Sequence, residues 1–181
     1  MNLPNKLTVM RVCMIPFFVV FMVVNIFGDP ADKYIADAFF IVASLTDFID
    51  GHLARKYNLV TNFGKFMDPL ADKLLVSAAL ICLAGNPIPV WVVIVIISRE
   101  FIISGLRLIA SENGIVLAAS MWGKCKTATT MVMIILVIAD FSGTIFNVLE
   151  QVLIYVSLAL TIISMVDYLY KNRQVFAEEK M

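Results

Sequence analysis

From Leu74 to Ser98 the chain carries no charged side chain at all. An uninterrupted neutral stretch of that length must leave water, into a protein core or into a bilayer. The rest of the chain decides between them. Of its 181 residues 61% are hydrophobic, against about 45–50% in a soluble domain, and the mean hydropathy is +0.91. This is the composition of a membrane protein. Within the neutral stretch, "GNPIP" at 85–89 sets a glycine and two prolines close together, a turn signal that divides it in two.

A transmembrane helix needs about 20 mostly apolar residues. Strong candidates run over about 9–28, 88–110, 121–140 and 144–169. Two weaker ones, about 33–56 and 64–85, carry a group of aspartates. The expected architecture is therefore all-α: an integral membrane bundle of six transmembrane helices forming one domain over 1–181. The basic N-terminus (Lys6, Arg11) followed by an apolar run imitates a signal peptide. No convincing small-x-small cleavage site follows, so it reads as an uncleaved first span.

Six spans with the N-terminus inside leave Lys33 as the one external basic residue among the 14 lysines and arginines. The positive-inside bias then puts both termini and the 55–65 loop in the cytoplasm of a cell with this plasma-membrane protein. "GDPADK", "GNPIP" and "DFSGT" become short external turns. Formal net charge is zero, which gives no reason to expect nucleic acid. Cys13, Cys82 and Cys125 form neither a disulfide framework nor a metal spacing and read as packing residues. Trp91 and Trp122 fall near expected span ends, as in an aromatic belt.

Four aspartates, Asp47, Asp50, Asp68 and Asp72, interrupt this apolar chain. Asp47 and Asp50 are three apart and occupy neighbouring positions on one helix face. Asp68 and Asp72 are four apart and share a stripe with Gly64 one turn earlier. The short inner loop between the two pairs makes their helices antiparallel neighbours. Four carboxylates in a half-buried site repel, so some are protonated or cations lie between them. An all-oxygen set without His or Cys favours a hard divalent ion such as Mg²⁺ or Mn²⁺. Four carboxylates can hold two such ions about 3.5–4 Å apart, a clamp used in phosphoryl displacement. Gly51 and Ala54 remove bulk beside the carboxylates, Arg55 can bind a phosphate through charge-assisted bonds, and Pro69 is expected to kink its helix. Together they suit a nucleotide diphosphate better than a bare ion. His52 occupies a variable position and reads as a spacer.

The run Asp47-x-x-Asp50-Gly51-x-x-Ala54-Arg55, followed after eight residues by Gly64-x-x-x-Asp68-x-x-x-Asp72, resembles the signature of the CDP-alcohol phosphatidyltransferases at every fixed position. The resemblance implies a six-helix membrane enzyme, typically a homodimer, that moves a phosphatidyl group from CDP-diacylglycerol to an alcohol and releases CMP with Mg²⁺ or Mn²⁺. It implies that Asp47, Asp50, Asp68 and Asp72 ligate two divalent cations. Asp72 would also be the general base, and Gly51, Ala54, Arg55 and Gly64 would frame the cytidine and its diphosphate.

"NLPNKLTVMR" at 2–11, "SREFIISGLR" at 98–107 and "GKCKT" at 123–127 resemble the branch of this family whose acceptor is sn-glycerol 3-phosphate. A dianionic acceptor needs basic partners, and Arg99, Arg107, Lys124 and Lys126 supply them. Arg99 falls near mid-bilayer, where an arginine must face a polar cavity or an acid. Glu100, its neighbour in sequence, is expected to point elsewhere. Thr8 and Arg11 are candidates for the donor phosphates, with Arg11 equally readable as a snorkelling interface anchor. Two rivals stand beside this reading: another acceptor (inositol phosphate, serine, or phosphatidylglycerol as in a cardiolipin synthase), and a divalent-cation transporter.

Overall fold

The structure, a computed structural model, describes residues 3–24, 26–56, 62–112 and 120–173, without the side chains of 3–4, 47–56, 62–66, 69 and 112. Its regular elements are six α-helices: α1 (Leu3–Val23), α2 (Ala31–Lys56), α3 (Asn62–Cys82), α4 (Val90–Glu112), α5 (Met121–Ala139) and α6 (Thr144–Lys171). Each falls on one expected segment. α1 begins about two turns earlier than the apolar run suggests, because Lys6 and the polar residues before it continue the helix. α3 runs through Pro69 without a break.

Within α1, α5 and α6 the segments Asn5–Val23, Met121–Ala139 and Thr144–Lys171 are long and apolar enough to cross a membrane. The other three are as long, at 26, 21 and 23 residues. Their hydropathy is diluted by the acidic and basic residues that make the chain chemically interesting.

The connections follow the turn signals. Asp32, 5% exposed, turns its carboxylate onto the chain before α2 and accepts the N–H groups of Ile26, Phe27 and Gly28 at 2.9–3.2 Å. That satisfies donors the turn would otherwise leave bare. Gly28, at φ 93°, adopts the left-handed backbone this tight reversal requires. One turn into α2, Lys33 pairs with Asp29 at 3.0 Å and with Asp140, just past α5, at 2.7 Å.

The chain divides into two compact units, Met1–Ala84 with Ile134–Phe141, and Gly85–Met133 with Ser142–Met181. In the first, α1 packs on α2 and α3, and α2 on α3. Ala36 and Ala43, both 0% exposed, are small enough to let α1 come close to α2. Phe18 lies against Phe40 at 6.0 Å between ring centroids, and Phe39 stacks on Phe17 and Phe21 at 6.1 and 5.8 Å. Arg11 crosses the same interface, fully buried, and donates its Nε–H to the Ala43 carbonyl at 3.2 Å. This corrects the snorkelling reading: its guanidinium satisfies α2 backbone instead of reaching for the membrane surface.

In the second unit α4 packs on α6. On the buried face of α6, Ser157, Thr161 and Ser164 are each 0% exposed. Thr161 and Ser164 turn their hydroxyls back onto carbonyls of their own helix. Ser157 instead meets Thr130 of α5, Oγ to Oγ1, at 2.7 Å. Bonds of this kind between membrane helices contribute on average about 0.6 kcal/mol and at most about 1.7. Ser157→Ala is therefore expected to lower the thermal midpoint in detergent by only about 1–4 °C. A larger fall would mean that the hydroxyl pair organises more than one contact.

Candidate functional site

The aspartates lie on the paired helices α2 and α3. The α2 backbone is helical through Asp47 and Asp50, which preserves their i, i+3 register, and α3 keeps Asp68 and Asp72 at i, i+4. Both Asp68 and Asp72 are partly exposed. Thr8 of α1 is 0% exposed and donates its hydroxyl to Asp68 Oδ1 at 2.5 Å. The structure thus brings Thr8, expected among the residues for the donor phosphates, to the acidic stripe with its hydroxyl on a carboxylate. The side chains of Asp47, Asp50, Gly51, His52, Ala54, Arg55 and Gly64 lie outside the described residues.

The donor set fits a hard divalent cation in its chemistry. The two described carboxylates share one stripe, and every expected ligand atom is a carboxylate oxygen. Among the described residues no group of three His, Cys, Asp or Glu stands ready to hold a metal. Two of the four expected ligands belong to that described set.

The basic candidates are built on α4 and α5. Arg99 is the tenth residue of α4, about 14 Å from the helix start at about 1.5 Å per residue. It is only 9% exposed. Lys126, on the second turn of α5, is 2% exposed. Between them stands Glu100, whose Oε1 accepts from Arg99 Nη1 at 3.0 Å and from Lys126 Nζ at 2.6 Å. The expectation that Glu100 points away from Arg99 is therefore wrong. Successive residues on a helix diverge at their Cβ atoms, but both side chains are long enough to curl back towards each other. A buried charge without a partner costs several kcal/mol, which drives them to do so.

The start of α5 sets the height of Lys126 and the room beside Arg99. Ser120 precedes the helix and accepts the Gly123 N–H on its hydroxyl at 3.2 Å, a capping bond. Gly123 lies beside the other arm of the guanidinium: a Cβ built there would stand 3.7 Å from Arg99 Nη2. Among the described residues Arg99 Nε, also buried, has no hydrogen-bond partner.

The other two basic candidates part from this cluster. Lys124 is exposed on α5. Arg107 lies over the ring of Tyr168 on α6, with Cζ 5.6 Å from the centroid, a cation–π contact. Tyr168 is 2% exposed, and among the described residues neither its hydroxyl nor Arg107 Nε has a hydrogen-bond partner. Sequence reasoning missed Glu100, Ser120 and Tyr168. Glu100 had a usable signal, since an acid in the middle of an apolar helix needs a cation nearby. Tyr168 had none, because a tyrosine near a helix end also suits an interfacial belt.

A family model described as CDP-alcohol phosphatidyltransferase matches residues 1–163. The chain is 45% identical to the CDP-diacylglycerol–glycerol-3-phosphate 3-phosphatidyltransferase of Bacillus subtilis (strain 168), over 94% of this chain and 95% of that protein. It is 39% identical to the protein of the same name from Haemophilus influenzae, covering 93% and 91%. With the one from Rickettsia bellii it shares 34%, covering 97% of both.

Proposed function

The chain belongs to the CDP-alcohol phosphatidyltransferase family, and from that premise we propose that it transfers the phosphatidyl group of CDP-diacylglycerol to sn-glycerol 3-phosphate, giving phosphatidylglycerophosphate and CMP. The observation that carries the choice of acceptor is the near full-length similarity, at 34–45% identity, to relatives named for that reaction. The buried pairing of Arg99 and Lys126 with Glu100 supports it, because two cations gathered on one carboxylate suit a phosphate-bearing acceptor.

In this reading Asp47, Asp50, Asp68 and Asp72 would hold two divalent cations, Mg²⁺ or Mn²⁺, which when bound supply neutralising charge to the phosphoryl oxygens. Thr8 keeps Asp68 turned towards the stripe through its hydroxyl. Gly51, Ala54 and Gly64 leave space for the cytidine and its diphosphate, and Arg55 offers charge-assisted hydrogen bonds to the phosphates. Arg99 and Lys126 bind the acceptor phosphate, with Arg107 and Lys124 adding positive charge. Asp72 takes the proton of the acceptor hydroxyl. The oxygen then forms a bond to the phosphorus that bears diacylglycerol, the anhydride bond to the other phosphorus breaks, and CMP leaves with the electron pair. Positioning and charge stabilisation do most of the catalysis in such transfers.

The same proposal takes all six helices to span the plasma membrane, with termini and site on the cytoplasmic face and the chain in a homodimer. The bias of Lys and Arg towards one side of the six-span arrangement supports that orientation. A panel of acceptors tests the reaction. Purified protein with CDP-diacylglycerol is expected to release CMP quickly with glycerol 3-phosphate and at background rates with inositol phosphate, serine or phosphatidylglycerol. Faster release with any of the other three would reassign the acceptor.

A further inference from the structure

Resting on that reading of the acceptor, we infer that Glu100 is a positioning residue for the acceptor phosphate: its single Oε1 atom fixes Arg99 of α4 and Lys126 of α5 as one preorganised pair. Three observations meet at this atom. Both donors are long, flexible side chains, and both are held by the same oxygen, at 3.0 and 2.6 Å. Both are buried, at 9% and 2% exposure, so neither head group is held out in solvent. They come from two different helices, so the carboxylate defines how far apart the two charges stand.

The charge balance favours this role over simple neutralisation. Arg99, Lys126 and Glu100 together carry one net positive charge. Without Glu100, two buried cations would repel, and each would lose a charge-assisted bond. With Glu100, Arg99 keeps its first arm, Nη1, on the carboxylate and its second, Nη2, beside Gly123. The residue that reduces the net charge of the cluster is the one that shapes it.

The two roles predict opposite signs. If Glu100 only offset charge, removing its charge would strengthen phosphate binding. If it positions, removal weakens it. Glu100→Ala deletes the tether and is expected to raise the KM for glycerol 3-phosphate about tenfold or more, the scale of a lost hydrogen bond to a charged group. Glu100→Gln keeps an oxygen that can accept from both donors and is expected to raise that KM by less, which is rescue by the conservative variant. For both, the KM for CDP-diacylglycerol and the kcat at saturating acceptor should stay near wild type, a split that general loss of structure would not give.

A Glu100→Gln enzyme with a lower acceptor KM than wild type would overturn the inference. So would an unchanged acceptor KM in both variants, or equal changes in the KM of both substrates. Arg99→Ala separates this failure from failure of the acceptor pocket itself. Where Arg99→Ala raises the acceptor KM and the Glu100 variants do not, the positioning role alone falls. Where Arg99→Ala leaves acceptor use unchanged, the pocket assignment falls with it.

Discussion

Asp72→Asn is expected to abolish turnover. Radiolabelled glycerol 3-phosphate incorporated into lipid by the purified protein should drop by about 10²–10⁴-fold for the loss of a base alone. Loss of a cation ligand should take it further. Asparagine has nearly the shape of aspartate but cannot accept the hydroxyl proton and carries no charge for a cation. The substitution should leave the helix in place. The face that anchors α3 is made by Ala71, Leu75, Ala79 and Leu80, each no more than 1% exposed, whereas Asp72 is partly exposed beside it. A folded but inactive protein is the expected product. Wild-type rates in this assay would exclude Asp72 both as base and as ligand.

Most of the helical frame could be read from the chain because its punctuation is local. "GNPIP" separates α3 from α4, and "DFSGT" separates α5 from α6, for reasons contained in the glycines and prolines themselves. The register of the aspartates was equally local, since i, i+3 and i, i+4 spacings need only a continuous helix to share a face. Hydropathy was the weaker guide to α2, α3 and α4. Asp37, Asp47 and Asp50 lower it in α2, Lys65, Asp68, Asp72 and Lys73 in α3, and Arg99, Glu100 and Arg107 in α4. The charged residues on these helices lower the very signal by which a span is recognised.

What the sequence did not yield was the partner of each buried charge. Arg11 and Arg99 are both arginines in apolar helices, yet one reaches the carbonyl of Ala43 and the other Glu100. The partner of Arg11 lies 32 residues away on the helix packed against it, whereas that of Arg99 is its neighbour on the same helix. Local spacing carries no information about the first. It misled about the second, because Cβ direction is a poor guide for side chains with three or four rotatable bonds. The same limit applied to Thr8, whose hydroxyl binds a carboxylate sixty residues on.

Removing divalent cations should abolish activity as completely as Asp72→Asn, and reversibly. The proposed ligands, Asp47 and Asp50 on α2 with Asp68 and Asp72 on α3, are all hard oxygen donors, so Mg²⁺ or Mn²⁺ should restore a protein stripped with EDTA. Binding should also register without turnover. Four carboxylates on two adjacent helices repel when the cation is withdrawn, and a ligand that binds only the folded state stabilises it by about 2.7 kcal/mol at a hundred times its Kd. The thermal midpoint in detergent should therefore rise on adding Mg²⁺, and the rise should shrink in Asp68→Asn and Asp72→Asn. Because the midpoint is read without substrate, it separates a cation held by the protein from one that arrives with the diphosphate. Full activity in EDTA would remove the cations from the mechanism. Activity lost in EDTA with a midpoint indifferent to Mg²⁺ in the wild type would instead make the metal a companion of the nucleotide, and the aspartates would then need another role.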